Sequence, residues 1–149
     1  MPPEIMIQLA GTPQAKGRAR AFGYKSKKTG KMGVGHYTPE RTRTYEGMIR
    51  TAAMEVMAGQ APLAAPVEFH LRAVFPVPAS WSKKKRALAL AGQLMPAKKP
   101  DADNVVKAWT DACNEVVFLD DAQIVRGSFE KVYGEAPLVA VTVRVIGEA

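Results

Sequence analysis

Val139, Val141, Val143 and Val145 take every second position near the end of this chain. Nothing else in the sequence limits the fold as tightly. Successive side chains of an extended segment point to opposite sides, so β-branched residues at a period of two mark a strand with one buried face. Ile5, Ile7 and Leu9 repeat the pattern over Glu4–Ala10, as do Val67, Phe69, Leu71, Ala73 and Phe75 in the middle of the chain. Pro76 and Pro78 close that second strand, because proline has no amide hydrogen for a ladder. Two further strands are expected at 123–133 and 138–146, joined through Gly134-Glu135-Ala136-Pro137 as an antiparallel hairpin.

Between the strands the apolar period changes to that of a helix. Tyr45, Met48, Ile49, Ala52, Ala53 and Val56 predict a helix over 40–58, with Thr38-Pro39 as hydroxyl cap and first position and Gly59 as the stop. Residues 62–66 form a linker. Ser82 caps a short helix from Lys83 to about Ala91, closed by Gly92. A third helix over about 104–117 sets Val105, Ala108, Trp109, Ala112, Cys113 and Val116 on one face, with Asp103, Lys107, Asp111 and Asn114 on the other. The expected fold is α+β, one domain over 1–149, ordered β-α-β-α-α-β-β. A mixed sheet ends in the C-terminal hairpin and carries the helices, and the first strand, helix and second strand form a right-handed crossover. Residues 11–35 hold few large apolar side chains and read as a long mobile loop, basic over 14–36.

At 149 residues and 47% hydrophobic content the chain can bury one ordinary core. No apolar run approaches the roughly 20 residues of a membrane span, and no basic segment precedes an apolar stretch at the N-terminus, so a cytoplasmic protein of bacterial or phage origin is expected. Cys113 is the only cysteine, which excludes an internal disulfide and a cysteine-rich zinc site. Residues 1–100 carry 17 Lys+Arg against 5 Asp+Glu, and residues 101–149 carry 4 against 9; the whole chain stands at +7. A basic surface attracts phosphates and releases their counterions. It also keeps a protein in solution, so charge alone does not choose a partner.

The acids are concentrated. Asp101 and Asp103 stand two apart before the third helix, Lys107 follows one turn on, and Asp120-Asp121 fall in the turn after it. In an extended segment alternate side chains point the same way, which allows Asp101 and Asp103 to converge on one ion. Asp120-Asp121 join them only if the chain bends or runs back along the helix, which is about 20 Å long. Aspartates also cap helices and build turns, so each pair has a purely structural reading. A calcium loop is excluded, since its later positions fall on Val105, Val106 and Ala112. An all-oxygen set suits magnesium or manganese. His36 and His70 lack ligand spacing; His70 reads as a strand residue and His36 as a loop residue. Cys113 and Trp109 read as core. Three basic groups remain as nucleic-acid contacts: Lys16, Arg18, Arg20, Lys25, Lys27, Lys28 and Lys31 in the loop; Lys83, Lys84, Lys85 and Arg86 on the short helix; and Lys98 with Lys99 beside the acids.

Lys99-Pro100-Asp101-Ala102-Asp103-Asn104-Val105-Val106-Lys107, Asp111-Ala112 and Asp120-Asp121-Ala122-Gln123-Ile124 together resemble the RusA family of Holliday junction resolvases. Trp81-Ser82-Lys83-Lys84-Lys85-Arg86 and Gly11-Thr12-Pro13 with Lys16 and Arg18 are similar to its phage-borne members. The resemblance implies a homodimeric endonuclease on branched DNA, the four-way junction, using Mg²⁺ with Mn²⁺ as substitute and no nucleotide cofactor. It implies Asp101, Asp103 and Asp121 as catalytic metal-binding acids, Asp120 as the less certain member of its pair, and Lys107 as the essential lysine. The competing expectations are a non-catalytic basic DNA-binding protein and a metal-dependent nuclease of flaps or ordinary duplex.

Overall fold

A computed structural model describes residues 4–17, 20–37 and 40–148. Strand β1 (Glu4–Ala10) opens the fold with the expected bounds. The segment expected as a loop contains a two-stranded antiparallel ribbon, β2 (Arg20–Lys25) and β3 (Met32–Tyr37). Helix α1 (Glu40–Met57), strand β4 (Val67–Pro76) and helices α2 (Lys83–Leu90) and α3 (Ala102–Cys113) follow, then a short 3-10 turn (Asp121–Gln123) and strands β5 (Ile124–Gly134) and β6 (Leu138–Val145). The architecture is the expected α+β with a mixed sheet, enlarged by the ribbon. The proposed cap at Thr38-Pro39 lies outside the described residues.

The main sheet runs β1-β6-β4-β5. β5 and β6 are antiparallel and joined by a tight turn, as expected, but they are not neighbours. β4 lies between them, parallel to β5 and antiparallel to β6. The alternation identifies the buried face of each strand and is silent on its partner; β4, with five buried residues on one face, lies between β6 and β5. β1 is likewise parallel to β4 but separated from it by β6. Gly127 faces Phe69 across the β4–β5 pair, and a Cβ there would run into the Phe69 carbonyl oxygen, so no larger residue fits.

Ile5, Ile7, Phe69, Leu71, Ala73, Val139, Val141 and Val143 bury one face of this sheet in the core with Tyr45, Ile49, Ala53 and Met57 of α1 and Val105, Ala108, Trp109 and Ala112 of α3. Each large aliphatic side chain there contributes about 1.5–3 kcal/mol. The opposite face carries Glu4, Glu68, Arg126 and Arg144 in an ion-pair network, with His70 bonded to Ser128. His70 is therefore the strand residue expected from its sequence context. Ala58 and Gly59, both at positive φ, stop α1. The Ser82 hydroxyl accepts from the Lys85 amide, capping α2, and Gly92 at φ +81° closes it.

α3 departs from expectation at both ends. It starts at Ala102, so Asp103 lies inside the first turn instead of in an extended lead-in, and Asp101 is the cap residue. It ends at Cys113, four residues early. Asn114 bridges to Phe118, Glu115 takes φ +66°, and Leu63 donates to the Val117 carbonyl, folding the chain back on itself.

Candidate active site

The head of α3 sets out the acids. Asp101 has extended backbone and its side chain makes no capping hydrogen bond. Asp103, one turn before Lys107, is also exposed. Neither carboxylate has a hydrogen bond or ion pair among the described residues. The capping reading therefore does not account for Asp101. Four oxygens of hard, anionic donors stand unused beside one another in sequence. That chemistry fits a magnesium ion, which commonly takes one or two carboxylates and completes its shell with water and substrate phosphate.

Asp111 is two turns further along the same face, and its situation is the opposite. Lys16 Nζ donates to Asp111 Oδ2 at 2.6 Å and pairs with Glu46 Oε1 at 3.0 Å, and Lys107 Nζ reaches Asp111 Oδ1 at 3.4 Å. Burial pushes the Asp111 carboxyl upward, but the hydrogen bond and charge of Lys16, together with Lys107, outweigh it and hold the pKa below its ordinary value. Burial likewise lowers Lys16, and the bonds to Asp111 and Glu46 more than reverse that. Lys16, expected as a DNA contact, is thus committed to two carboxylates that tie the 11–17 segment to α1 and α3. The Lys16 amide also donates to the Asn104 carbonyl at 2.9 Å.

Asp121 lies elsewhere. α1 and α3 run in the same sense: Arg41 and Thr42 at the head of α1 line a cleft of about 370 Å³ with Pro100, while Met57 and Gly59 at its foot flank Glu115 and Val116. Asp120 and Asp121 belong to the foot. The Gln123 side chain fixes them there, its Oε1 accepting from the Asp120 amide at 2.8 Å and its Nε2 donating to the Leu63 and Ala65 carbonyls at 2.8 and 3.0 Å. α3, twelve residues and roughly 18 Å long, stands between the two acidic pairs along the chain. Among the described residues no three His, Cys, Asp or Glu side chains gather closely enough to hold a metal ion. The bend after α3 exists, but it does not bring Asp121 to Asp101 and Asp103 within one chain. Sequence reasoning missed Gln123, whose only signal is its position three residues after an N-cap aspartate.

Of the basic groups, Lys83, Lys84, Lys85 and Arg86 are all exposed at the N-terminal turn of α2, where the helix dipole repels cations. Lys85 Nζ lies 4.1 Å from the Trp81 ring centre, and Trp81 packs edge-on against Tyr133. Lys98 and Lys99 are exposed, and Lys131 Nζ pins their loop by donating to the Lys98 carbonyl at 2.6 Å. Lys25, Lys27, Lys28 and Lys31 are exposed on the ribbon; Arg18 lies outside the described residues, and the side-chain settings of Arg20 and His36 are likewise outside them. Cys113 is core, its thiol pushed up to about 12 by burial, and Trp109 is fully buried. No helix among the described residues is long and apolar enough to cross a membrane.

A family profile described as endodeoxyribonuclease RusA matches residues 10–144. The chain is also 32% identical over 142 residues to the uncharacterised protein YqaN of Bacillus subtilis (strain 168), covering 94% of this chain and 95% of that protein. The profile runs from the last residue of β1 almost to the end of β6 and takes in both acidic pairs, Lys107 and the α2 cations: the chain belongs to the RusA family of endodeoxyribonucleases, enzymes of Holliday junction resolution.

Proposed function

We propose that this protein is a magnesium-dependent, homodimeric endonuclease that resolves four-way DNA junctions by paired symmetric hydrolysis. The observation that carries the reading is the pair of exposed, unpartnered carboxylates of Asp101 and Asp103 at the head of α3, in a chain of this family. Asp101 and Asp103 would hold the metal, and Asp121 of the partner subunit would complete the set. A two-fold dimer that laid the foot of one α3 against the head of the other would supply it, which accounts for acids kept apart in one protomer. When bound, Mg²⁺ supplies an acidified water and neutralises charge on the phosphoryl oxygens.

The chain's own residues do the rest. The Lys107 ammonium, 59% exposed and held by Asp111 on the Asp103 face, stands where it can meet the charge that grows on the phosphate in in-line attack. Lys98 and Lys99 precede the acids directly and hold the backbone against them. Lys83, Lys84, Lys85 and Arg86 are electrostatically misplaced for helix stability, a misfit that DNA phosphates relieve. The two sites of a two-fold dimer match the symmetry of a four-way junction, so two nicks are made on opposed strands.

The test is a labelled four-way junction and a linear duplex of the same sequence, each with Mg²⁺ or EDTA. Paired nicks in the junction alone, only with Mg²⁺, are expected. Binding with no nick on any substrate returns the protein to a non-catalytic role, and equal cutting of the duplex makes it a general nuclease.

A further inference from the structure

We propose that the cleft between the 13–17 segment and the heads of α1 and α3 holds the DNA phosphate next to the one being cut, with Arg41 as its ligand; this rests on the reading of the protein as a junction nuclease. The cleft, about 370 Å³, is bordered by Pro13, Ala15 and Gly17 on one side, by Arg41 and Thr42 of α1 on another, and by Pro100 on the third. Pro100 is bonded to Asp101, so the cleft opens directly beside the acids. Lys107 lies on the other side of them in the chain, one turn beyond Asp103. The next phosphate of a strand held at the acids therefore has the cleft within reach.

The walls are in place before any ligand arrives. The Gly17 amide donates to the Thr42 hydroxyl at 2.8 Å, and the Lys16 amide to the Asn104 carbonyl at 2.9 Å. The Tyr45 hydroxyl is hydrogen-bonded to the Gln14 backbone. The Lys16 ammonium adds its two carboxylates, Asp111 and Glu46. Thr42 is buried, a polar side chain spent on holding this wall. The 13–17 segment is thus tied to both helices, and a preformed site binds without the cost of ordering its walls.

Charge selects the occupant. Arg41 is the one charged residue among the described residues that line the cleft. It is exposed and makes no hydrogen bond or ion pair among the described residues. Lys16, the other cation of this wall, is already committed to Asp111 and Glu46. Arg41 also sits in the first turn of α1, the wrong end of a helix for a positive charge. Glu40 precedes it, but adjacent helical side chains do not face one another. An arginine left without a partner at a poor place for helix stability is explained by an anion it binds. Its planar fork meets two phosphate oxygens at once, which suits a phosphodiester.

The full-length protein is first given Mg²⁺ and a four-way junction, and the cut bond is mapped. Binding is then measured in EDTA for wild type, R41A and R41K, on junctions in which single phosphates around that bond are replaced by uncharged methylphosphonates. One neutralised phosphate beside the cut is expected to weaken wild-type binding roughly tenfold or more, and R41A to show the same loss on the unmodified junction. Combining the two should give no further loss. R41K should recover only part of the affinity, since an ammonium lacks the fork. R41A binding like wild type, or a loss that multiplies with that of every neutralised phosphate, overturns the cleft while leaving the nuclease reading intact. Saturable binding of inorganic phosphate by wild type and not by R41A, with no response to the neutralised DNA phosphates, makes this a free-anion site and also overturns the proposal. No cut in Mg²⁺ defeats the nuclease reading instead, and the assignment of the cleft with it.

Discussion

Asp103 and Asp111 are the same residue on the same face of one helix, two turns apart, and the fold treats them in opposite ways. Asp111 is half-buried and satisfied by Lys16 and Lys107, while Asp103 is exposed and bonded to nothing among the described residues. A paired carboxylate contributes to folding. An unpaired one beside other acids adds only repulsion, and its place in the chain has to be explained by what it binds.

Substitution breaks the comparison most sharply. Asp103→Asn is expected to lower junction cleavage by roughly 10²–10³, the scale of losing one preorganised electrostatic contact to a transition state, with thermal stability unchanged and junction binding kept. Gel assays of cleavage and binding, with a melting curve, check this; an unfolded or fully active variant would contradict it. Asp111→Ala should instead lower stability, and it also frees Lys107 from its partner. It strands Lys16 beside Glu46 and costs about 1.5–3 kcal/mol, read by urea denaturation.

Acid sharpens the contrast further. The folded pKa of Asp111 is depressed, so its contribution is present above the unfolded value near 3.8 and fades as pH falls through the lower folded value. The folded pKa of Lys16 is raised, so its share holds below 10.5 and fades as pH rises through the higher folded value. The stability gap between wild type and Asp111→Asn should therefore be flat between about pH 5 and 9 and close below pH 4. Denaturation midpoints across pH measure it, and a gap that persists at low pH would assign the clamp to packing. The smallest effect is expected on α2, where Lys83→Ala should reduce the slope of log affinity against log salt by about 0.9 with no loss of stability.

Much of this was legible beforehand because it is local. β1, the Ser82 cap and the stops at Gly59 and Gly92 depend on neighbours a few residues away, and the sequence states them directly. What was not legible is carried across distance. Lys16 and Asp111 lie 95 residues apart, and no spacing rule joins them. α3 ends early because Leu63 captures the chain at Val117 and Leu119. The ribbon escaped notice because its packing is between strands: Phe22 and Tyr24 alternate with small residues along one strand, and the glycines that seat them lie on the other. The candidate acids were visible by type and order, but the holding of Asp120 and Asp121 beside Leu63 and Ala65 was not, because it too is a contact across about sixty residues.

Among the described residues β1 touches the main sheet only through β6, which follows all the other strands in the sequence. A ribosome must release everything from β1 through β6 before Glu4–Ala10 can pair, so the sheet is completed in a single late event. A nascent chain stalled before Leu138 would leave β1 without its partner and the centre strand open on one edge, ready to pair with whatever strand arrived first.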